Sequence, residues 1–438
     1  MSTNILLIGS GAREHAIARS CSKSSLNYKI FCIGSGYNPG IMGKCEDLVV
    51  ANFNDPNVVT NYAKKHKINY AIIGPENPLQ AGIADALWKI NVKVFGPTQS
   101  LARIETSKEF ARKMLKDFNI PGGPIFKSFI SLKGVEEFCN DLQNEFVIKF
   151  DGLAGGKGVK VFGEHLHGMS QALDYCKNII DKGGKFLIEE KFIGEEFSLM
   201  SFCDGETIQH MPIVQDHKRA YENDTGPNTG GMGTYSNFDH SLPFLEGQDV
   251  EAAKRINELT MRALKEKTGM NYMGVLYGGF MAVRDGVRLI EYNARFGDPE
   301  AMNVLSLLET DLIEICKAVT EKKLSNIKIQ FDKKATVCKY AVPQGYPDSP
   351  IKGEKIDTSN VKNIESLYFA SVDEVDGNLI ESGSRTLAAI GVADTIALAE
   401  KTAEESISNV KGPLFYRKDI GRQNLLNRRI ENMRKLRC

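Results

Sequence analysis

The sequence predicts an α/β protein in three parts: an N-terminal parallel α/β domain, a central two-lobed unit and a small C-terminal α+β domain. Three observations predict it. Over residues 1–104, short unbroken apolar runs alternate with helical patterns. Continuous Val, Ile and Leu strands separated by helices belong to a parallel sheet covered on both faces. Clusters of Pro and Gly at Pro121–Pro124 and Pro343–Pro350 break the chain where linkers are expected. The length of 438 residues suits two to four units of roughly 100–200 residues each.

The first domain, 1–104, has strands at Ile5–Ile8, Ile30–Ile33, Leu48–Val50, Tyr70–Ile73 and Val92–Phe95, and helices at Val58–His66 and Leu79–Lys89. The central unit, 105–323, mixes strands at Phe146–Phe150, Val159–Phe162 and Phe186–Glu189 with helices at Leu132–Leu142 and Met169–Ile180. Extended segments follow at Glu196–Cys203, Gly274–Val283 and Val287–Asn293, with a long helix at Val250–Lys267. The last unit, 324–438, carries apolar runs at Val337–Val342 and Leu387–Val392 and a helix at Ile396–Ser408.

The 55 basic and 55 acidic side chains cancel, which argues against a dedicated nucleic-acid partner. No apolar run approaches the roughly 18 residues of a membrane-spanning helix, so no membrane partner is expected. The N-terminus turns polar too soon for a signal peptide. The nine cysteines are scattered and never spaced CxxC, so free thiols in a reducing cytoplasm are expected, with no zinc framework.

Gly9-Ser10-Gly11 follows a strand and precedes a helix, but Glu14 stands at the third glycine of a dinucleotide fingerprint and no acid follows the second strand before Glu46. A nicotinamide cofactor is therefore disfavoured. Free N–H groups at such a helix N-terminus, with Arg13 beside them, read as a phosphate or carboxylate site or as a tight turn. The stronger loop is Asp151–Gly158, with four glycines and Lys157, after a strand ending in Lys149 and Phe150. It is not a Walker A motif, yet two ammonium groups flanking a glycine loop suit a polyphosphate; the alternative is a hairpin with solvated lysines.

Glu291 and Asn293 are two apart on a strand and so share a face. One carboxylate and one amide oxygen make a magnesium site with waters and phosphate oxygens, or are plain exposed strand residues. The segments Gln215–Arg219 and Gly226–Gly233 are dense in donors and read as a substrate-facing pair, the second as an anion nest, or as a solvated face and a turn. His217 is the histidine likeliest to matter. The tail Arg417–Cys438 has eight basic and two acidic residues, with Leu425, Leu426, Ile430 and Met433 at helical spacing. RNA or membrane contact is one reading; a solvated basic face packed on the last domain is the preferred one.

In this order, GSGAREHA, GPENPL, FGPT, IKFDGLAGGKGV, IEEKFIGEEFS, QDHKR, GPNTGGMG, NARFGDPE and YRKDIG resemble the glycinamide ribonucleotide synthetase family of the ATP-grasp superfamily, over essentially the whole chain. The lysine loop and the Glu-x-Asn strand are general ATP-grasp features; QDHKR followed by GPNTGGMG is more specific. Other ATP-grasp enzymes, such as a biotin carboxylase, and a non-catalytic nucleotide sensor are the rivals. The resemblance implies a central ATP-grasp unit with a mobile lid at about 124–191. It implies ATP contacts from Lys108, Lys149, Gly155, Gly156 and Lys157, a hinge at Ile188–Phe192 with Glu189, Glu190 and Phe192, and Glu196 on the ribose. Glu291 and Asn293 would hold Mg2+ or Mn2+. Gly9, Gly11, Arg13, Gly297 and Asp298 would surround glycine and 5-phosphoribosylamine, with Asp216, Lys218 and Arg295 as catalytic groups. It further implies a cytoplasmic monomer that passes glycine through an acyl phosphate.

Overall fold

The computed structural model describes residues 2–155 and 158–438. The expected residues Gly156 and Lys157 lie outside the described residues.

The first domain is built on β1 (Thr3–Ile8), β2 (Tyr28–Gly34), β3 (Asp47–Val50), β4 (Tyr70–Ile73) and β5 (Lys93–Phe95), all parallel in the order β3-β2-β1-β4-β5. Ile5 through Ile8 are all buried, as a strand covered on both faces requires. The order turns back beside β1, so the loops after β1 and β4 open into one crevice, where α/β sheets bind ligands. The helix expected over Leu79–Lys89 is two, Glu76–Gln80 and Ile83–Lys89. Gly82 separates them with a φ of +78°, a left-handed conformation that glycine adopts without steric cost.

The central unit has two sheets. One contains β6 (Phe126–Phe129), β7 (Phe146–Phe150), β8 (Val159–Val161) and β9 (Phe186–Glu190) in the antiparallel order β6-β9-β7-β8. With helices Val135–Asp141 and Met169–Asp181 it closes its own core around Phe129, Phe146, Ile148, Cys176 and Phe186. Each fully buried large apolar side chain there contributes roughly 1.5–3 kcal/mol, so this lobe holds its shape apart from the rest. The second sheet contains β10 (Glu195–Cys203), β11 (Ile208–His210), β16 (Gly274–Val283) and β17 (Gly286–Asn293), ordered β11-β10-β16-β17 and covered by the helix Gly247–Thr268. The hinge segment between β9 and β10 joins the two lobes.

Between β11 and β16 lie β12 (Gln215–Asp216), the hairpin of β13 (Arg219–Tyr221) and β14 (Thr225–Asn228), and β15 (Gly233–Ser236). β12 and β15 pair with neither central sheet. They extend the C-terminal sheet formed by β18 (Ala335–Pro343), β19 (Leu367–Phe369) and β20 (Leu387–Ala393), in the order β12-β15-β18-β20-β19. One sheet therefore runs through both units.

The tail forms the helix Gln423–Arg437 and buries Leu425, Leu426 and Met433, while Ile430 stays exposed. Its basic face is only partly solvated: Arg434 and Lys435 are exposed as the sequence reading has it, but Arg429 and Arg437 are drawn into ion pairs. Arg429 binds Glu195 at 2.8 Å and Asp224 at 2.5 Å, and Arg437 binds Asp249 at 2.7 and 2.9 Å. The helix docks on the central unit because these acids are shielded from water and need cations. Among the described residues no helix is long and apolar enough to cross a membrane.

Candidate active site

A cavity of about 690 Å³ lies between the two lobes and opens toward the first domain and the C-terminal unit. Lys108, Lys149, Gly155, Glu189, Glu190, Phe192, Glu196, Asp216, Lys218, Glu291, Asn293, Arg295, Asp298 and Arg13 all line it. The structure thus brings together 14 of the expected residues, Arg13 from the first domain and the rest from the central unit; Arg385 and Arg429 of the C-terminal unit line the cavity beside them. Gly9, Gly11 and Gly297 are not among the lining residues.

On β17, Glu291 stands opposite Gly279 and Asn293 opposite Tyr277 of β16, so the two alternate residues share a face. Burial opposes ionisation of Glu291, but Lys218, Lys108, Lys149 and Arg295 outweigh it and hold its carboxyl below the usual range. An ionised carboxylate beside an amide oxygen is a hard donor pair that fits a divalent cation.

Lys149 on β7 is buried and ion-paired with Glu189 of β9 at 2.7 Å; it also donates to the Ile290 carbonyl at 3.0 Å. Arg112 donates to both oxygens of Glu189, at 2.7 and 3.0 Å, and to the same Ile290 carbonyl at 2.5 Å. Two cations from different elements therefore fix the β17 backbone beside Glu291. Lys108 donates to the Gly152 carbonyl at 3.2 Å, and Asp151 accepts from the Glu109 N–H at 3.1 Å. These bonds tether the glycine loop to the start of the helix Lys108–Asp117. Gly155 follows with a φ of +53° and open space around its α-carbon.

At the hinge, Glu190 accepts the Ile125 N–H at 2.8 Å, which ties the hinge to the entry of β6. Glu196 pairs with Lys218 at 3.0 Å. The charge of Glu196, reinforced by Glu291 and Asp216, holds the Lys218 ammonium protonated. Arg295 binds Glu105 at 2.9 Å and Glu76 at 3.4 Å, spanning from β17's end to the first domain. Asp298 accepts Tyr340 at 2.8 Å and pairs with Arg385 at 3.2 Å. Arg385 also donates to the carbonyls of Gly230, Gly231 and Asp298.

Two sequence expectations need correcting. Two of the three N–H groups of Gly9-Ser10-Gly11 are engaged: Gly11 donates to Glu14 at 2.6 Å and Gly9 to the Ile33 carbonyl at 2.8 Å. Glu14, also bound to Arg13 at 2.6 Å, supplies the anion itself by reaching back to cap its own helix. Nor is Gly226–Gly233 an open nest. Gly231 donates to Thr229, Met232 to the His217 carbonyl, and the carbonyls of Gly230 and Gly231 face Arg385. His217 is a buried ring whose Nδ1 donates to the Gly233 carbonyl at 3.2 Å, and burial pushes its pKa down to about 3. It is neutral at pH 7.

Sequence reasoning missed Arg112, Glu76, Glu105, Tyr277, Glu300 and Arg429, all of which line the cavity. Arg385 of the C-terminal unit lines it as well.

Known proteins match along the same three parts. The families described as phosphoribosylglycinamide synthetase N domain, ATP-grasp (A) domain and C domain match residues 3–105, 106–301 and 336–423. A phosphoribosylamine–glycine ligase of Methanosarcina barkeri is 47% identical over 433 residues, 99% of each chain. The crystal structure of a phosphoribosylamine–glycine ligase from Thermotoga maritima aligns with a TM-score of 0.79 at 28% identity, covering 95% of this chain and 100% of that one. An N5-carboxyaminoimidazole synthetase of Staphylococcus aureus complexed with ADP, 13% identical with a TM-score of 0.65 over 93% of this chain and 98% of that one, shares the fold alone.

Proposed function

The chain belongs to the phosphoribosylglycinamide synthetase family, and from that premise we infer how its own residues carry the reaction. It is an ADP-forming ligase of purine biosynthesis: it joins glycine to 5-phosphoribosylamine and consumes ATP. The observation that carries the residue assignments is the single cavity into which Lys149, Glu196, Lys218, Glu291 and Arg295 converge from both lobes.

A carboxylate is a poor acyl donor. Glycine's carboxylate oxygen attacks the γ-phosphorus of ATP, the bond to the ADP oxygen breaks, and glycyl phosphate forms. The amine of phosphoribosylamine then attacks the glycyl carbon. The C–N bond forms, the C–O bond to phosphate breaks, and the amine loses a proton. Lys108 and Lys149 face the phosphates from the lid side and neutralise the transferring charge. The hinge around Glu190 and Phe192 holds the base, and Glu196 the ribose. Glu291 and Asn293 hold a magnesium or manganese ion, which when bound supplies charge neutralisation on the phosphates. Arg295 and Lys218 orient the acyl group; Arg13 and Asp298 face phosphoribosylamine, with Gly9, Gly11 and Gly297 shaping the backbone behind them. Closure of the glycine loop keeps water from the acyl phosphate.

The same reading has the chain work as a monomer in the cytoplasm. In support of the compartment, the nine cysteines are unpaired. The test is ADP release with ATP, glycine and freshly made phosphoribosylamine, each omitted in turn. Full release needs all three; release that ignores glycine overturns the reading.

A further inference from the structure

The tail helix reaches the cavity through one side chain. Arg429, which lines the wall, spreads its guanidinium between two elements. One nitrogen donates to Glu195 Oε2 at 2.8 Å and another to Asp224 Oδ2 at 2.5 Å. Asn432, one turn further along the helix, donates to the second Glu195 oxygen at 2.8 Å. Glu195 opens β10 directly after the hinge and is 3% exposed. Asp224 stands at the turn of the β13–β14 hairpin. There Arg417 donates to its Oδ1 at 2.9 Å and to the Arg219 carbonyl at 3.1 Å.

Both arms of this bridge end beside one ion pair. Glu196 follows Glu195 and points to the opposite face of the strand. Lys218 precedes the hairpin whose turn Asp224 occupies. Lys218 and Glu196 meet at 3.0 Å, with their side chains 40% and 42% exposed. A pair so open to solvent, on two flexible stems, holds no fixed geometry of its own. Its alignment comes from the two backbones beneath it, and Arg429 ties those backbones together. A guanidinium can do so because its rigid fork of donors serves two carboxylates at once.

We propose that Arg429 is a positioning residue for the nucleotide: it joins the hinge to the hairpin and so sets Glu196 against the ribose hydroxyls. This goes beyond the ligase reading and rests on its assignment of Glu196 to the ribose. The last helix of the chain thereby belongs to the nucleotide site through a side chain that acts at one remove. Its other anchor, Arg437 on Asp249, holds the same helix without touching either arm of the bridge.

The test is binding of magnesium-ADP by isothermal titration calorimetry, with the KM for ATP beside it, for wild type, Arg429→Lys, Arg437→Ala and Glu196→Gln. Arg429→Lys keeps a cation near both acids, and Asp224 keeps Arg417 and Arg428 besides, so the chain folds. One ammonium cannot span the two acids, however. The Kd for ADP rises about 10- to 100-fold, as for one misplaced charged hydrogen bond, and the KM for ATP rises with it. Arg437→Ala loosens the same helix, lowers the melting temperature and leaves the Kd for ADP at the wild-type value. In a Glu196→Gln background the lysine substitution adds no further weakening, because it acts through Glu196. Arg429→Lys with wild-type affinity overturns the inference, and so does Arg437→Ala that weakens ADP equally, which would make Arg429 only a docking contact. Glu196→Gln that binds ADP as wild type does overturns the ribose assignment itself, and the inference with it.

Discussion

Arg112 and Glu189 meet through two parallel hydrogen bonds of 2.7 and 3.0 Å, with both side chains 2% exposed. The pair joins the helix Lys108–Asp117 to the last strand of the lid sheet, and Lys149 shares the same carboxylate. A buried pair of this kind is worth little against an apolar substitute, but breaking one side leaves an uncompensated charge.

Glu189→Gln is therefore expected to cost about 3–5 kcal/mol of stability. It leaves Arg112 and Lys149 facing a neutral amide. Urea denaturation monitored by far-UV circular dichroism measures it; an unchanged midpoint means the pair is not closed in solution.

The same carboxylate gives a pH dependence. Burial opposes its charge, but Arg112 and Lys149 overcome that and pull its pKa down to about 2. A lowered folded pKa stabilises above the unfolded carboxylate value of about 4.3, and the gain is lost as pH falls toward about 2. The urea midpoint of wild type should fall more steeply below about pH 4.3 than that of Glu189→Gln. Parallel curves exclude Glu189 as the source.

Glu291→Gln should lower kcat roughly 10²–10³-fold, the cost of one well-placed electrostatic group, and raise the magnesium concentration needed for half activity. Glu291 is the ionised member of the oxygen pair on β17. Turnover close to wild type would remove it from the metal site.

Gly155 adopts a φ of +53°, and among the described residues nothing lies within 4 Å of an added Cβ, so alanine meets no clash with them but must hold a left-handed backbone. If that backbone is needed for the closed loop, a strain of roughly 1–2 kcal/mol slows turnover about 5- to 30-fold in a protein that remains folded, with at most a small drop in melting temperature. Equal kcat would make Gly155 only a turn residue.

Glycine labelled with ¹⁸O at both carboxyl oxygens should send one label into inorganic phosphate per turnover and keep one in the amide. The oxygen that attacks phosphorus stays on phosphorus when the amine displaces phosphate. Unlabelled phosphate would exclude glycyl phosphate. His217→Ala that still transfers label excludes a phosphohistidine route.

The strands of the first sheet were legible because a both-sides-covered strand writes itself as an unbroken apolar run, as Ile5–Ile8 does. That Glu291 and Asn293 share a face was legible because a period of two needs only one strand. Arg112, Glu105 and Glu300 were not, since each is an ordinary charge within a helical pattern until another element packs on it. The helix-capping role of Glu14 was half visible: it broke a fingerprint, but only the fold shows its carboxylate turned back onto Gly11. The tail's arginines looked solvated because Glu195, Asp224 and Asp249 are far away in sequence.

The sheet that runs through two units also sets an order of events during synthesis. β15 finds its partner in β18, where Ser236 pairs with Thr336. At roughly 5–20 residues per second on the ribosome, the edge of β15 waits on the order of 5–20 s for that strand to emerge. Throughout that interval the β18-facing edge of β15 has unpaired backbone, open to mispairing with a neighbouring nascent chain. The C-terminal unit is thus a folding partner of the centre rather than a detachable appendage, and a ribosome stalled before it would release a chain with an unfinished site.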